Sequence, residues 1–264
     1  MAIPLRFKDK TVWVTGAASG LGLAIGQRFE QEGANIVVLD RNEHKLKAQW
    51  SEGDHVLICV ADVTDSRSIR SAMVQSVERF GRIDVLANVA GIALEQPFLD
   101  ISEDDWRKII DTNLTGMFLV AQTAARQMAT QSPTGGVIIN MASKNGITAE
   151  VKYAHYNASK AGVILLTKSM AGDLAPYNIR VNSVAPGYCL TPLTEQMDPA
   201  EFRKRYCDQL IPSGRLGKPQ EVAGTFAFLA SQDAGFINGA TIVLDGGHLA
   251  IDGRQIHAWD DLNG

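Results

Sequence analysis

The chain has 264 residues, 45% of them hydrophobic, and a formal net charge of −4. This length suits one large α/β domain, and the negative charge offers no basic surface to a nucleic acid or an anionic membrane. Three widely separated cysteines without CxxC spacing argue against both a disulfide framework and a thiolate zinc site. The sequence also lacks a signal-like start and an apolar run of about 18 residues, so we expect a cytoplasmic protein without a membrane segment.

Seven short runs rich in β-branched residues predict strands. Because apolar residues are nearly continuous within them, we expect a parallel sheet covered on both faces, with helices formed by the amphipathic stretches between the runs. We predict one doubly wound, Rossmann-type α/β domain over residues 1–247 and a C-terminal extension over residues 248–264. The runs are TVWVTG, ANIVVLD, HVLICVAD, DVLANVAG, GVIINMAS, IRVNSVAPG and TIVLDGG.

The loop after the first strand carries Gly16, Gly20 and Gly22. Glycine permits a tight turn and a close approach to a pyrophosphate, whose charge a helix N-terminus favours. The GxxxGxG spacing matches the common GxGxxG only approximately, so a plain glycine-rich turn is the alternative. The position between a strand and a helix favours a cofactor site.

Asp40 ends the second strand, where an acidic side chain reaches the adenosine ribose hydroxyls and would repel the 2′-phosphate of NADP. Arg41 follows and could favour NADP instead, because a guanidinium matches a phosphate. The glycine loop supplies no second cation to help Arg41. We therefore predict NAD as the cofactor.

Tyr156 and Lys160 lie four residues apart in YNASK and share one face of a predicted helix. A free tyrosine has a pKa near 10, which a neighbouring ammonium and a bound, positively charged nicotinamide would lower. Tyr156 could then accept a hydroxyl proton while the cofactor accepts the hydride. A surface pair is the alternative, but Ser143 favours catalysis because it ends a strand, where α/β sheets bind ligands.

Taken in order, these motifs resemble the classical short-chain dehydrogenase/reductase family from about Lys8 to Gly247. The resemblance implies that Tyr156 is the acid/base and that Lys160 holds the nicotinamide ribose and lowers the Tyr156 pKa. Ser143 would bind the substrate oxygen, and Asn113 would interrupt its helix to hold a proton-relaying water. The motifs are TGAASGLG, ADVTD, NVAG, DTNLTGMF, NMASKNG, YNASK, APGYCLT and LDGG.

The resemblance also assigns residues to the cofactor. Asp62 and Val63 match the pair that recognises adenine, and Asn88, Ala90 and Gly91 match the turn beside the adenosine ribose. The segment around Pro186 to Thr191 matches the residues beside the nicotinamide. The predicted NAD-binding residues are Gly16, Ser19, Gly20, Leu21, Gly22, Asp40, Arg41, Asp62, Val63, Asn88, Ala90, Gly91, Tyr156, Lys160, Pro186, Gly187, Cys189 and Thr191.

Two positions depart from the family pattern. Val89 stands where the family usually has a second asparagine, which affects a hydrogen bond supporting the sheet more than the chemistry. Cys189 replaces a branched apolar residue and is either a reactive thiol near the cofactor or a buried, inert one.

The substrate is expected to contact Ser143, Lys144, Asn145, Tyr156 and Tyr188. The segment KNGITAEVKYAH has more cationic than anionic groups and suits a hydroxyl-rich substrate, including one with an acidic group. Solvated loop charges explain the same segment equally well. No histidine or carboxylate spacing indicates a metal, so we predict a metal-independent reaction.

The segment 191–209 reads as an amphipathic cover that excludes water from the site. Met197, Phe202 and Tyr206 would face inward, and the basic run Arg203–Arg205 would favour anionic substrates.

The helix after Lys160 is apolar around most of its circumference between Gly162 and Leu166. Such a helix is either deeply buried or pressed against another subunit, and we expect a homo-oligomer, a dimer or a tetramer. Ile256 and Trp259 in the extension could pack on a neighbouring subunit, with a disordered end as the alternative.

We therefore predict NAD-dependent oxidation of a secondary hydroxyl on a sugar, an acidic sugar or a polyol. A 3-oxoacyl thioester reductase is the alternative enzyme, and a non-catalytic dinucleotide sensor is the alternative of another class.

Overall fold

A computed structural model describes residues 5–251 of the chain. Within them, seven strands form one parallel sheet in the order β3-β2-β1-β4-β5-β6-β7. Each strand falls in one of the seven predicted runs, and the predicted fold class is confirmed. The strands are β1 (Thr11–Thr15), β2 (Asn35–Asp40), β3 (Val56–Val60), β4 (Val85–Asn88), β5 (Gly136–Met141), β6 (Ile179–Pro186) and β7 (Thr241–Leu244).

Helices cover both faces of the sheet. On one face α1 packs against α9, and on the other α3 packs against α5. Alternate residues of β1 enter the two cores, because Val12 and Val14 belong to one and Trp13 to the other. The helices are α1 (Gly20–Gln31), α2 (Glu43–Gln49), α3 (Ser66–Phe80), α4 (Glu103–Ile110), α5 (Gly116–Thr130), α6 (Ala154–Leu174), α7 (Pro192–Met197), α8 (Ala200–Leu210) and α9 (Pro219–Ala230).

Local signals set the ends of several helices. Ser102 caps α4, since its hydroxyl oxygen accepts a hydrogen bond of 3.0 Å from the backbone N–H of Asp105. The first helix stops before Gly33, whose φ of +88° is costly for any residue with a side chain.

A buried carboxylate fastens the end of α1. Glu32 is fully buried and accepts hydrogen bonds of 2.6 and 2.7 Å from Arg6 and of 2.5 Å from Arg28. Burial by itself would raise the pKa of the Glu32 carboxyl, but the bonds from the two guanidiniums hold it below its usual range.

One flank of α6 stays apolar and exposed. Val163 is fully buried, whereas the Leu165 side chain is 66% exposed. The alternative of deep burial within one subunit is therefore wrong for this helix.

The chain continues past the predicted domain boundary in a turn. The backbone N–H of Leu249 donates to the Asp245 carboxylate at 2.7 Å, and the His248 ring lies 5.6 Å from that of Tyr206. Ile256 and Trp259 lie outside the described residues, so the role of the extension stays a prediction.

Candidate active site

The carboxyl ends of the central strands bring the predicted catalytic residues together. Ser143 follows β5, while Tyr156 and Lys160 lie on the first two turns of α6. Asn113 lies in a π-helical turn over Asp111–Thr115, which interrupts the helix between α4 and α5 as predicted.

The Asn113 side chain ties three segments together. Its Oδ1 accepts from the backbone N–H of Ile92 at 2.8 Å, and its Nδ2 donates to the Ile92 carbonyl at 2.8 Å and to the Ser159 hydroxyl at 3.2 Å. These bonds fix the loop after β4 against α6. The water-relay role of Asn113 stays a prediction.

Lys160 is buried with its ammonium beside the strand end. It is only 3% exposed, and its Nζ donates to the Met141 carbonyl at 2.8 Å. Burial lowers the pKa of Lys160 to about 8, because the charged form loses hydration. The ammonium is therefore poised to lose its proton near the physiological pH range.

Burial is also the main influence on the pKa of Tyr156. It raises the pKa of the phenol above 10, and the hydrogen bond with Ser143 acts in the opposite direction without cancelling it. The Lys160 Nζ lies 5.7 Å from the centre of the tyrosine ring and bonds to a carbonyl. In the protein without a cofactor, burial is therefore the dominant influence on the Tyr156 pKa, and the lowering expected from Lys160 together with a bound nicotinamide stays a prediction.

The glycine loop forms a cradle without Cβ atoms. Gly16 has a φ of +70° and Gly20 one of +56°. A Cβ on Gly16 would lie 3.0 Å from the Ala90 Cα, and one on Gly22 would lie 2.1 Å from the Gly16 carbonyl oxygen. Ser19 precedes α1 without a side-chain capping bond, so the first N–H groups of the helix remain available to an anion. These features fit the pyrophosphate of a dinucleotide.

Two adjoining cavities extend from the cradle. One of about 380 Å³ lies at the ends of β2 and β3, and the other, of about 250 Å³, reaches Tyr156 and Lys160. The residues predicted for the cofactor line them as follows: Gly16, Ser19, Asp40, Arg41, Asp62, Val63, Ala90 and Gly91 in the first, and Gly16, Ser19, Gly20, Leu21, Gly22, Asp40, Ala90, Gly91, Tyr156, Lys160 and Thr191 in the second.

Asp40 closes the first cavity, and backbone groups hold its carboxylate. One oxygen accepts from the backbone N–H of Ala18 at 3.2 Å and the other from that of Asn42 at 2.9 Å. Lys45 also lines this cavity and was not expected from the sequence. It lies in the first turn of α2, where no motif marks it.

The Asn88 side chain is turned away from both cofactor cavities, and the predicted contact of this residue with the cofactor stays a prediction. Its side chain is 1% exposed and donates to the Met117 carbonyl at 2.9 Å and to Asn140 Oδ1 at 3.2 Å. The amide therefore supports the sheet beneath the site, and it lines neither cofactor cavity. The neighbouring Val89 does reach the second cavity.

A third cavity of about 410 Å³ adjoins the catalytic serine and tyrosine. The five predicted substrate residues line it, and so do Pro186, Gly187, Cys189 and Thr191. The sequence did not single out Ala93, Glu95, Tyr153, Thr194 and Asp198, which also line it.

The cations at this cavity are paired. Lys144 Nζ donates to Glu150 at 2.9 Å and to Asn145 Oδ1 at 2.9 Å, and Lys152 Nζ lies 2.9 Å from Glu95. The cationic excess expected from the sequence is therefore offset, because the segment folds back onto carboxylates.

The predicted cover is present, but its basic run points elsewhere. Met197, Phe202 and Tyr206 line the cavity from α7 and α8, whereas none of Arg203–Arg205 does. The Arg203 guanidinium donates to the Asp198 carbonyl, and Lys204 pairs with Asp208 on the exposed side of α8. The expected selection of anionic substrates by this run therefore gains no support from the cavity lining and stays a prediction.

The structure favours a buried, unreactive thiol at Cys189. It is 5% exposed, and burial raises its pKa to about 11.

Within residues 5–251, no group of three histidine, cysteine or carboxylate side chains is placed to hold a metal. Over the same residues, no helix is both long and apolar enough to cross a membrane.

Comparison with known proteins identifies the class. A family model described as Enoyl-(Acyl carrier protein) reductase matches residues 16–248. A short-chain type dehydrogenase/reductase from Mycobacterium marinum superposes with a TM-score of 0.88 at 37% identity, covering 94% of this chain and 98% of its own. The chain belongs to the classical short-chain dehydrogenase/reductase family. It is an oxidoreductase that acts on hydroxyl or carbonyl groups with a nicotinamide dinucleotide.

Relatives within the family differ in substrate. A 3-oxoacyl-(acyl-carrier-protein) reductase of Thermotoga maritima is 40% identical over 92% of this chain and 99% of its own. An NAD-dependent glycerol dehydrogenase of Listeria innocua is 38% identical over 91% and 94%, respectively. A meso-2,3-butanediol dehydrogenase of Serratia marcescens is also 38% identical, over 95% and 98%.

Proposed function

We propose that this protein uses NAD to oxidise a secondary hydroxyl on a small, neutral, polar substrate such as a polyol or a sugar. The observation that carries the proposal is the convergence of Ser143, Tyr156 and Lys160 where the cofactor cradle meets the third cavity. The paired cations at that cavity favour a neutral substrate over the acidic sugar that the sequence left open.

The chain's own residues would manage the proton and the orientation. When bound, the nicotinamide supplies the hydride acceptor. The Ser143 hydroxyl would hold the reacting oxygen, and Tyr156, as the phenolate that a bound, positively charged nicotinamide would favour, would take its proton. Lys160 would bind the nicotinamide ribose through its Nζ, which lies 5.7 Å from the centre of the Tyr156 ring. Asn113 would keep the loop after β4 in place for this contact.

The choice of NAD rests on Asp40. Its carboxylate lines the adenosine-side cavity and would repel a 2′-phosphate. Arg41 and Lys45 line the same cavity and are the groups that would support NADP. The NAD-dependent glycerol dehydrogenase among the relatives supports the cofactor, and this relative and the butanediol dehydrogenase support the substrate class.

We also propose a cytoplasmic homo-oligomer, a dimer or a tetramer. Leu165 on α6 is 66% exposed, and Phe118 on α5 and Trp106 on α4 are each 40% exposed. Large apolar side chains on neighbouring helices suit contact with a second copy. Buried, unpaired Cys59, Cys189 and Cys207 suit a reducing compartment.

Assays of NADH formation with alcohols, polyols, sugars and hydroxy acids test the proposal. We expect turnover of neutral polyols with NAD and at least tenfold less with NADP. Strong NADP preference together with reduction of a 3-oxoacyl thioester would support the alternative enzyme. Dinucleotide binding with no turnover of any alcohol or ketone would support a sensor.

A further inference from the structure

One carboxylate at the third cavity, that of Asp198, has no cationic partner within the described part of the chain. Glu150 and Glu95 are paired with lysines, whereas Asp198 makes no salt bridge with any side chain of residues 5–251. The nearby Arg203 guanidinium donates to the backbone carbonyl of Asp198 and forms no salt bridge with its carboxylate.

The Asp198 carboxylate is held by a tyrosine. The Tyr188 hydroxyl donates to its Oδ2 in a short hydrogen bond, which joins the loop after β6 to the turn between α7 and α8. Among the described residues, no donor reaches the other oxygen, Oδ1. Tyr188 therefore fixes the direction of the carboxylate while one of its oxygens remains available.

Aromatic rings line the cavity beside this carboxylate. The Tyr188 and Tyr206 rings lie 5.0 Å apart in an edge-to-face arrangement, and the Phe202 ring lies 6.1 Å from Tyr206. Such a wall packs well against the C–H groups of a short carbon chain, and a carboxylate accepts hydrogen bonds strongly. The two features together suit a chain that carries several hydroxyls.

The charges at the cavity argue in the same direction. Lys144 offsets Glu150 and Lys152 offsets Glu95, so Asp198 supplies the remaining formal charge among the acidic and basic residues that line it. A carboxylate or phosphate on the substrate would be repelled there.

We propose that Asp198 determines specificity by accepting a hydrogen bond from a second substrate hydroxyl, remote from the carbon that is oxidised. This inference rests on the proposed function and narrows its substrate to neutral alcohols with more than one hydroxyl. Tyr188 acts as a positioning residue that orients the Asp198 carboxylate.

The test compares Asp198→Asn with wild type on two series. Glycerol, meso-2,3-butanediol and xylitol carry a second hydroxyl, whereas 2-propanol and 2-butanol do not. We expect wild type to favour at least one polyol over the mono-alcohols. In Asp198→Asn, kcat/KM for that polyol should fall about tenfold or more, while values for mono-alcohols should change less than twofold. Asp208→Asn on α8, outside the cavity, is the matched control and should change neither series.

Further measurements distinguish a failure of the Asp198 proposal from a failure of the proposed function. Asp198→Asn should also raise kcat/KM for the hydroxy acid 3-hydroxybutyrate, because a repelling charge is removed. Equal losses on polyols and mono-alcohols, or no loss on either, would refute the role of Asp198 while the proposed oxidation stands. A wild type that favours no polyol over the mono-alcohols would refute it as well. Failure to form NADH from every alcohol would refute the proposed function itself.

Discussion

Replacing Lys160 by methionine should stabilise the cofactor-free protein at neutral pH. Methionine has a similar length and no charge, so it removes the cost of burying an ammonium that is only 3% exposed. Burial lowers the pKa of Lys160 from 10.5 to about 8. At 1.36 kcal/mol per pKa unit, this shift lowers the free energy of unfolding by about 3 kcal/mol at pH 7.

The stability that Lys160 contributes changes with pH because the folded and unfolded chains bind its proton with different affinities. Between pH 8 and 10.5 the unfolded chain keeps the proton on Lys160 that the folded chain has lost, so wild-type stability from this group rises with pH. Methionine also removes the hydrogen bond to Met141, which costs about 1 kcal/mol at every pH. The variant should therefore be about 2 kcal/mol more stable at pH 7 and about 1 kcal/mol less stable near pH 10.5.

Urea unfolding of the cofactor-free protein, followed by circular dichroism at fixed protein concentration, measures this difference. The buried Cys59 and Cys189 thiols, whose pKa burial raises to about 11, also titrate in this window. They are present in both proteins and cancel in the comparison. Lys168→Met, at an exposed position of the same helix, should show no such pH dependence. A Lys160→Met variant that is less stable than wild type at pH 7 would show that burial of the Lys160 ammonium does not destabilise the folded state.

Two further predictions concern the cradle and the buried carboxylate. Gly22→Ala should abolish dinucleotide binding in a fluorescence titration, because its Cβ would lie 2.1 Å from the Gly16 carbonyl oxygen. The control is Gly172→Ala, whose Cβ would lie in open space; it should keep binding and gain about 0.5–1 kcal/mol of stability. Glu32→Gln should lower the free energy of unfolding by about 2 kcal/mol at pH 7. The difference from wild type should become smaller as the pH falls below 4.5, since the Glu32 carboxylate stabilises the fold only when it is ionised. Urea midpoints at pH 7 and pH 4 check this, with the exposed Glu30→Gln as control. Unimpaired binding by Gly22→Ala, or a Glu32→Gln deficit independent of pH, would count against these accounts.

The fold was predictable because its signals are local. Continuous apolar runs marked every strand, and Ser102 and Gly33 marked helix ends at the residues that adopt the required geometry. The cradle and the Tyr156–Lys160 pair were also predictable, since each lies within one short segment whose residue spacing fixes the arrangement in space.

The electrostatics of the site could not be predicted in this way. Lys144 meets Glu150 only because the loop before α6 folds back, and Asp198 meets Tyr188 across two separate loops. The pKa of Tyr156 depends on burial, which sequence spacing does not report. Asn88 lies within a motif associated with the cofactor, yet its side chain faces the interior of the sheet.

In the proposed reaction the Tyr156 phenol exchanges the substrate proton, and its hydroxyl contributes little to the affinity for the dinucleotide. Measuring NADH formation and NAD affinity for Tyr156→Phe tests this role most directly, with the exposed Tyr177→Phe as control. We expect an NAD affinity within about threefold of wild type and a fall in kcat of at least about 100-fold for Tyr156→Phe, with both unchanged for Tyr177→Phe. Turnover by Tyr156→Phe at near wild-type rates would contradict this role.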